Sequence, residues 1–403
     1  MEMLSKIRKK AKEIMEKTPY QRIRDSPTIK YYAKWEYINK LNIISHEPKA
    51  SHTQIPKSFI SDKHYTIVLN GNRIDYYGTM PQGVKIKEID EKTAMEFKDY
   101  VFKNVSPREG KLIATHLAYF SKGILLIISG EEVLKTPIRI IGFTSHSNTH
   151  VGYHVVYVLK SKAKAEIEFI SLGVGDKDVL KTFVIEGHVE EHAKLKAYLL
   201  TSDSGTSYTY FLHRIRSYGN NACNTLQFVL GENVTHVREE HILASHSMVN
   251  VLSLVISAKT SWQDLFTNVV HVGPYSESKV SVKGIALNSS SIIHRGLAKV
   301  HRRAREASTI IESTLLALGN KAKANSIPML EIETGNVREA KHSTSITRLS
   351  EEHLFYMATR GIDEKEAEKL VIKGITSSML SKLYGNTKAL VETLISRKLS
   401  IRF

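Results

Sequence analysis

The chain has 403 residues, 42% of them hydrophobic, and carries a formal net charge of +16. This length allows one elongated domain or about two or three ordinary ones, with enough apolar residues for a sizeable core. No apolar run reaches the roughly 18 residues of a membrane-spanning helix, so we expect no membrane association. The single cysteine, Cys223, excludes an internal disulfide and fits a reducing compartment.

The excess of positive charge is typical of proteins that bind nucleic acid, an anionic membrane or an acidic partner. The basic residues are spread along the chain, however. The two densest clusters, in residues 1–40 and around Arg302 and Arg303, belong to no recognisable nucleic-acid-binding module. We therefore expect a solvated basic surface and no nucleic-acid partner.

Residues 1–60 are predicted to form an N-terminal helical region. Leu4, Ile7 and Ala11 recur at helical spacing, and Pro19 ends the segment. The N-terminus lacks the apolar stretch and the small-residue cleavage site of a secretory signal. This composition predicts a cytoplasmic protein.

Residues 61–111 are predicted to be a mixed α/β lead-in. Tyr65 to Asn70 has the composition of a strand, and the Asn-Gly pair at Asn70 and Gly71 is a hairpin signal. A short helix is expected between Lys92 and Lys103.

Residues 112–347 are predicted to be a β-rich core, because short β-prone segments follow one another there with little helical sequence between them. In one of them Ala165, Ile167 and Phe169 alternate with glutamates, which places apolar and charged side chains on opposite faces. So many short strands fit either an antiparallel sandwich or a parallel β-helix. The scarcity of two-residue hairpin turns favours the β-helix, but the pattern alone leaves both architectures open.

Residues 348–403 are predicted to form a C-terminal helical domain. Asp363 begins a capping-box pattern, and Gly361 stands where a left-handed helix end is expected. Helix breaks are predicted at Gly361, Gly374 and Gly385, which gives three or four short helices.

Motifs for common enzyme chemistry are missing from the sequence. It has neither a phosphate-binding loop of the G-x-x-x-x-G-K-[ST] type nor a G-x-S-x-G nucleophile motif. The segment from His188 to His192 fits the letters H-x-x-E-H, but it lies between predicted strands, which favours a chance match. His236, His241 and His246 match no common metal motif and are expected to be scattered surface residues. We therefore expect the chain not to be an enzyme.

The order of these segments resembles the SufB/SufD family, the non-catalytic scaffold components of the SUF iron–sulfur cluster assembly system. The most specific part is P-M-L-E-I at residues 328–332, followed by His342 with its Ser/Thr run and by S-E-E-H-L-F-Y-M-A-T-R-G-I-D-E-K-E-A at residues 350–367. Weaker likenesses are M-P-Q-G-V at residues 80–84 and the run from Phe120 to Ile128. The resemblance implies a mainly β fold, a right-handed parallel β-helix with α-helical N-terminal and C-terminal parts.

Within that family the sequence looks like SufD. SufB-type chains carry a cysteine about one strand before the P-x-x-E motif and a glutamate directly after the histidine. Here residues 311–319 contain no cysteine, and Ser343 follows His342. The sequence departs from SufD as well, because S-T-S-I stands where G-A-T-V is usual.

The resemblance also implies partners. The C-terminal helices are expected to bind SufC, an ABC-type ATPase, and the end of the β-helix to pair with a SufB-type chain or a second copy. The expected ATPase-binding residues are Leu354, Phe355, Met357, Arg360, Ala367, Leu370 and Val371. The expected cluster-assembly interface contains His342, Glu331 and Glu333, with His342 as an iron ligand at an interface shared between chains.

No stably bound cofactor is expected. Iron–sulfur clusters are normally held by four thiolates, and this chain has one cysteine. A cluster would therefore be transient and shared with another chain, and Cys223 is expected to be buried rather than a ligand. The sequence leaves open whether a flavin takes part and whether the pair is a homodimer or a heterodimer.

Two other function classes remain open on the residues alone. A β-helix carbohydrate-active enzyme such as a lyase would share the fold, but it needs a groove of catalytic residues and usually a secretion signal. A basic nucleic-acid-binding protein would share the charge, and its retention on DNA or RNA would depend steeply on salt.

Overall fold

The computed structural model describes residues 3–19, 33–48, 53–61, 63–130, 137–174, 178–205, 207–348 and 351–399. Its centre is a parallel β-helix of about seven turns, built from a ten-stranded and a nine-stranded sheet, with helices before and after it. The mainly β fold expected from the sequence is confirmed, and the antiparallel sandwich is excluded.

The ten-stranded sheet contains β1 (Tyr65–Asn70), β2 (Arg73–Tyr77), β5 (Ile138–Thr144), β7 (Lys164–Gly173), β9 (Lys194–Asp203), β11 (Ala222–Val229), β13 (Met248–Ser257), β15 (Glu277–Leu287), β17 (Ala307–Leu318) and β19 (Val337–Arg348). The nine-stranded sheet contains β3 (Val84–Glu88), β4 (Lys122–Ile128), β6 (Thr149–Leu159), β8 (Val179–Val189), β10 (Ser207–Ser217), β12 (Val234–Leu243), β14 (Trp262–His271), β16 (Ser291–Val300) and β18 (Lys323–Ile332). The described helices are α1 (Met3–Lys17), α2 (Trp35–Lys40), α3 (Glu91–Glu96), α4 (Lys111–Tyr119), α5 (Glu351–Ala358), α6 (Glu364–Leu380) and α7 (Gly385–Leu399).

From β4 to β19, each strand pairs in parallel with the strand two positions further along the chain, so every turn of the coil adds one strand to each sheet. The register is continuous where β10 lies beside β12, from Tyr208 next to Val234 to Ser217 next to Leu243. Alternate residues therefore form rows that point into the coil. A slip of one residue would turn each of these side chains outward, so burial of the rows fixes the register.

One continuous apolar cluster fills the coil, and Val151, Phe183, Phe211 and Val237 are fully buried members of it. Burying each such side chain contributes about 1.5–3 kcal/mol. The outer faces of strands such as β6 and β8 are covered as well, which is the usual situation of parallel sheets.

Two groups of helices cover these outer faces. The N-terminal layer (α1, α2, residues 41–48 and α4) packs on the nine-stranded sheet, where Trp35 and Leu117 join Tyr208 and Leu212 in one cluster. The C-terminal helices α6 and α7 pack on the ten-stranded sheet through residues such as Leu390.

One corner of the coil is built from residues in the left-handed region of backbone conformation. The residues with positive φ at this corner are Lys162, His192, Asn220, His246, Tyr275 and Glu306. Each donates its backbone N–H to a carbonyl in the next turn, as where His192 N lies 3.2 Å from Asn220 O. Such a conformation costs a non-glycine residue on the order of 1 kcal/mol, which these bonds between turns help to offset.

The N-terminal end of the coil is closed by antiparallel strands. β2 pairs antiparallel with β1 across the turn at Gly71, which confirms the predicted hairpin, and β3 pairs antiparallel with β4. The sheets begin before residue 112, because β1 also pairs in parallel with β5. Residues just after that position form α4 instead of a strand.

The C-terminal helices confirm two of the three predicted breaks. Gly361 and Gly385 have φ of 79° and 57°, and the Asp363 carboxylate accepts the Glu366 N–H at 2.9 Å. The break predicted at Gly374 is wrong, because α6 runs through it. A glycine costs a helix about 1 kcal/mol, which burial of neighbours such as Ile372 outweighs.

The expectation that His236, His241 and His246 are surface residues is wrong for the first two. His236 faces out of β12 beneath Trp35 and bonds Asp264 at 2.6 Å, while His241 faces into the coil and bonds Glu239 at 2.7 Å. Both are buried because both faces of β12 are covered. His246 lies exposed in a turn.

Candidate functional site

The last turn of the coil, formed by β18 and β19, is an uncovered end. Among the described residues, each of these strands is the final one in its sheet and has a neighbouring strand on one side only. The side chains of β19 are mostly exposed and those of β18 exposed or half-buried, whereas β6 and β8 are buried along their whole length. Ile332 is 43% and Ile346 is 47% exposed. A long strand edge with exposed apolar residues is a template for pairing with another chain.

His342 lies in the row of β19 that continues the interior of the coil. It is beside Ile311 of β17, and Ile311 belongs to the interior cluster. The imidazole is exposed because no further turn lies over it. Within the described part of the chain it has no hydrogen-bond partner. A neutral imidazole in this position has a ring nitrogen free to bind a metal ion.

Polar side chains lie behind His342 inside the coil. The hydroxyl oxygens of Ser326 on β18 and Thr344 on β19 are 3.3 Å apart. One turn deeper, His294 Nδ1 is 2.5 Å from Ser313 Oγ, and His294 Nε2 is 2.9 Å from Thr267 Oγ1. Burial lowers the pKa of His294 to about 3, so this imidazole is neutral at physiological pH. The interior therefore becomes polar as it approaches the open end.

Glu331 and Glu333 are not brought together with His342. Glu331 lies beside Lys299, and both carboxylates are on the outside of the coil, where Lys299 Nζ is 3.2 Å from Glu331 and 3.0 Å from Glu333. His301 Nδ1 is 3.1 Å from Glu333, and hydrogen bonds from Lys299 and His301 lower the pKa of Glu333. The three predicted interface residues thus divide into an inward-facing histidine and an outward-facing acidic pair.

Metal binding at the open end would need further ligands. Within the residues that the structure describes, no group of three or more His, Cys, Asp or Glu side chains is placed to hold a metal ion. His342 supplies at most one ligand, and the others would come from a second chain.

Cys223 is far from His342. It lies on β11, four strands from β19 in the same sheet, and its side chain belongs to the interior cluster. Burial raises the pKa of this thiol to about 12, so it is protonated at neutral pH and a poor ligand. The expectation of a buried cysteine is confirmed.

Three of the predicted ATPase-binding residues are well exposed. Phe355 is 72% and Leu370 is 47% exposed, and Arg360 is exposed with its guanidinium 5.5 Å from the ring of Tyr356. Tyr356, which the sequence reasoning did not single out, is 62% exposed. These residues give α5 and the start of α6 an aromatic and apolar surface.

The other predicted ATPase-binding residues are less accessible. Ala367 is buried, and Val371 packs against the cluster that contains Ile372, so both face the rest of the protein. Met357 is half-buried. The side chain of Leu354 lies outside the described part of the structure.

A buried ion pair that attaches α7 to the coil was missed by the sequence reasoning. Glu168 on the outer face of β7 lies 2.5 Å from Arg139 Nε and also accepts the Thr387 hydroxyl of α7. Arg139 Nη1 donates to Phe59 O at 2.8 Å. The alternation of glutamates in β7 predicted correctly that Glu168 faces away from the interior of the coil, but it did not predict that a helix covers this side.

None of the described helices is long and apolar enough to span a membrane.

Comparison with known proteins gives one consistent result. The family model described as "SUF system FeS cluster assembly, SufBD core domain" matches residues 143–375, which include the open end, α5 and most of α6. An iron–sulfur cluster assembly SufBD family protein of Staphylococcus haemolyticus is 24% identical over 289 residues, 71% of this chain and 62% of the relative. One from Staphylococcus aureus is 24% identical over 307 residues, 75% of this chain and 66% of the relative.

The match to the first of these relatives covers less than two thirds of that protein's length. The family match itself spans more than half of this chain and contains the uncovered last turn of the coil. The chain belongs to the SufB/SufD family of the SUF iron–sulfur cluster assembly system.

Proposed function

We propose that this chain is a SufD-like scaffold that pairs, through the open end of its coil, with a second SufB/SufD-type chain. The observation that carries this proposal is the uncovered last turn. β18 and β19 each present an unpaired strand edge, beside the exposed Ile332 and Ile346. Pairing with another strand edge would satisfy the free backbone groups and remove this apolar surface from water.

Iron–sulfur cluster assembly would take place at that junction. His342 lies in the interior row of the last turn, so end-to-end pairing of two coils would enclose it between them. Its imidazole would provide one ligand to iron, and the partner chain would provide the thiolates that this chain lacks. The cluster is the cargo of the pair and not a resident cofactor of this chain. Chemical turnover, including ATP hydrolysis, is assigned to partners.

The SufD-like assignment rests on residues at the same end. Residues 311–319, which form much of β17 next to β19, contain no cysteine, and Ser343 follows His342. A SufB-type sister chain with a cysteine at this position would complement the pair. This favours a heterodimer over a pair of identical chains.

The exposed surface of α5 and α6 fits an ABC-type ATPase partner. Phe355 and Tyr356 are large aromatic anchors of the kind that dominate binding energy when a groove receives them. α6 itself connects this surface to the coil, because Ile372 packs with Ile285 and Leu316, and Lys283 Nζ bonds Ser378 Oγ at 2.7 Å. β17, which carries Leu316, lies beside β19, and β15, which carries Lys283 and Ile285, lies beside β17. A movement of the ATPase would therefore be transmitted to the open end through residues that are in direct contact.

Two variants separate the two contacts. Ile346→Lys should abolish co-purification with a SufB-type chain and preserve binding of the ATPase, while Phe355→Ala with Tyr356→Ala should do the reverse. Ile44→Lys, at a residue that is 76% exposed in the N-terminal layer, is the matched control and should change neither interaction. The proposal is wrong if the Ile346 variant pairs as well as the wild type.

A further inference from the structure

A line of polar side chains joins the N-terminal layer to the outer face of the nine-stranded sheet. We call it the histidine chain; its members are His46, His150, Thr182, His116, His154 and Glu186. Five of them are fully or almost fully buried, and His46 is half-buried. The histidine chain lies on the outer side of β6 and β8, away from the open end and from the C-terminal helices.

Each member of the histidine chain is within hydrogen-bond reach of the next. The distances are 3.3 Å from His46 Nδ1 to His150 Nδ1, 2.9 Å from His150 Nε2 to Thr182 Oγ1, 2.9 Å from Thr182 Oγ1 to His116 Nδ1, 2.9 Å from His116 Nε2 to His154 Nδ1, and 2.9 Å from His154 Nε2 to Glu186 Oε1. The three buried imidazoles use both of their ring nitrogens.

Glu186 sets the direction of these bonds. Its carboxylate also accepts the backbone N–H groups of Phe102 at 2.9 Å and Asn104 at 2.6 Å. A carboxylate oxygen accepts hydrogen bonds, so the donor in this contact is His154 Nε2–H and His154 Nδ1 is an acceptor. His116 Nε2 therefore donates to His154 Nδ1, and the Thr182 hydroxyl donates to His116 Nδ1. Thr182 in turn accepts from His150 Nε2, and His46 Nδ1 donates to His150 Nδ1.

While the N-terminal layer is packed on the sheet, the buried imidazoles consequently cannot take up another proton without losing a hydrogen bond. Every ring nitrogen of the three buried histidines is already committed as a donor or an acceptor, which leaves His46 Nε2. That position is unfavourable as well, because His46 is half-buried and the ammonium of Lys12 is close to it, over the ring of Tyr119 on which His46 stacks at 4.3 Å. Burial lowers the pKa of His116, His150 and His46, to about 3 for His150.

Other charged and titratable groups around the histidine chain do not make protonation of its imidazoles easier. Arg8 of α1 donates to Phe120 O at 3.2 Å, which keeps a second cation near His116. Beyond Glu186, His188 Nε2 is 2.9 Å from Tyr100 O, and Arg216 donates to the side chain of Asn104 at 3.1 Å. Asp178 accepts the Asn42 N–H at 2.8 Å, so a carboxylate also holds the segment that carries His46.

We propose that the histidine chain is a proton-linked latch, which holds residues 41–48 on the coil while its imidazoles are neutral and releases them on acidification. This segment detaches first because its member is the half-buried one. Besides the histidine contact, the segment is held by hydrogen bonds from Ile44 N to Asn148 O and from His150 N to Ser45 O, both 2.8 Å, by the Asp178 contact, and by bonds from the side chains of Asn148 and Thr149 to its carbonyl groups at 3.1 and 2.9 Å. Opening exposes His46 and His150 to water, where each takes up a proton at a pH near 6.5.

The sign follows from linkage. The released segment binds more protons than the docked one, so docking is complete above about pH 6.5 and weakens as the pH falls below it. Uptake of one proton on opening changes the opening equilibrium about tenfold for each pH unit, and uptake of two protons changes it about a hundredfold.

Hydrogen exchange of residues 41–48, corrected for the intrinsic effect of pH, measures this equilibrium in the full chain. Wild-type protection should fall with a slope of about two protons below pH 6.5. His46→Gln keeps a donor for His150 but cannot titrate, so its slope should be smaller by one proton. His246→Asn is the matched control, because His246 stacks 5.0 Å from a tyrosine elsewhere on the coil. This variant should keep the wild-type slope.

A second measurement tests the bond directions. In protein with ¹⁵N-labelled histidine, His116, His150 and His154 should all be Nε2–H tautomers at neutral pH. The latch is ruled out if wild-type protection does not depend on pH, if His46→Gln leaves the slope unchanged, or if any of these three histidines is an Nδ1–H tautomer.

Discussion

The two ends of the β-helix differ in how their last strands are covered. At the N-terminal end the antiparallel strands β2 and β3 lie outside β1 and β4, and interior residues such as Ile67 and Leu126 are fully buried. At the other end β18 and β19 end the sheets, and the interior row of β19 is exposed. A coil of stacked turns needs a cap at each end. Within the residues that the structure describes, only the first of these ends is capped, and the proposed function assigns the cap at the other end to a second chain.

The difference extends to the ion pairs. Arg139 and Glu168, in the turns near the closed end, are at most 1% exposed, whereas Lys299 and Glu333 at the open end are 30% and 38% exposed. Removing one partner of a buried pair leaves an uncompensated charge, and removing one partner of an exposed pair leaves a charge in water.

The largest effect is therefore expected for Glu168→Ala. It should lower the free energy of unfolding by about 3–5 kcal/mol, because the Arg139 guanidinium remains buried without its partner. Glu333→Ala is the matched variant at the open end, and its loss should be much smaller because the charge left behind is in water. Urea denaturation of both variants measures the difference. Similar losses in the free energy of unfolding for the two variants would contradict this difference between the two ends of the β-helix.

Apolar residues should show the same contrast with a smaller effect. Leu390→Ala, beneath the covered face of the ten-stranded sheet, should cost about 2–5 kcal/mol by leaving a cavity. Ile346→Ala in the unpaired chain should change stability by about 0.5 kcal/mol or less, because its side chain is already in water. Thermal unfolding at low protein concentration tests this, since pairing would stabilise the second site.

Acid should destabilise the covered interior behind the open end. The pKa of His294 is about 3 and that of His271 is about 4 in the folded chain, both lowered by burial. Their stabilising contribution is complete above the unfolded pKa near 6.5 and is lost as the pH falls toward 4, by about 1.4 kcal/mol per pH unit for each histidine. His294→Gln should reduce the slope of stability against pH by one proton. An unchanged slope in denaturant titrations would show that His294 is protonated when folded.

Local patterns in the sequence predicted much of the fold. The strands from Gly123 onward, the hairpin at Gly71 and the helix end at Gly361 follow from alternation and from turn residues, and all are present, whereas the first residues of the predicted β-rich core form α4. The repeat of the coil was not visible, because its corner positions with positive φ hold residues such as Lys162, His192 and Tyr275 instead of glycine. Hydrogen bonds between turns, which no local pattern records, stabilise these conformations.

The candidate site was predicted less completely. The resemblance pointed to His342, but its orientation relative to Glu331 depends on the register of two strands in different sheets. The burial of His236 and Glu168 was also missed, because helices distant in sequence cover the outer faces of their strands. A period of two assigns a side chain to a face but does not say what lies over that face.

The most direct test of the unpaired end is amide hydrogen exchange before and after mixing with a SufB-type chain. β2 and β19 are the two outer strands of the same sheet, so each serves as the control for the other. We expect the protection of β19 amides to rise at least about tenfold, equivalent to 1.4 kcal/mol, while that of β2 stays constant. A complex that forms without protecting β19, or that protects β2 instead, would contradict the account.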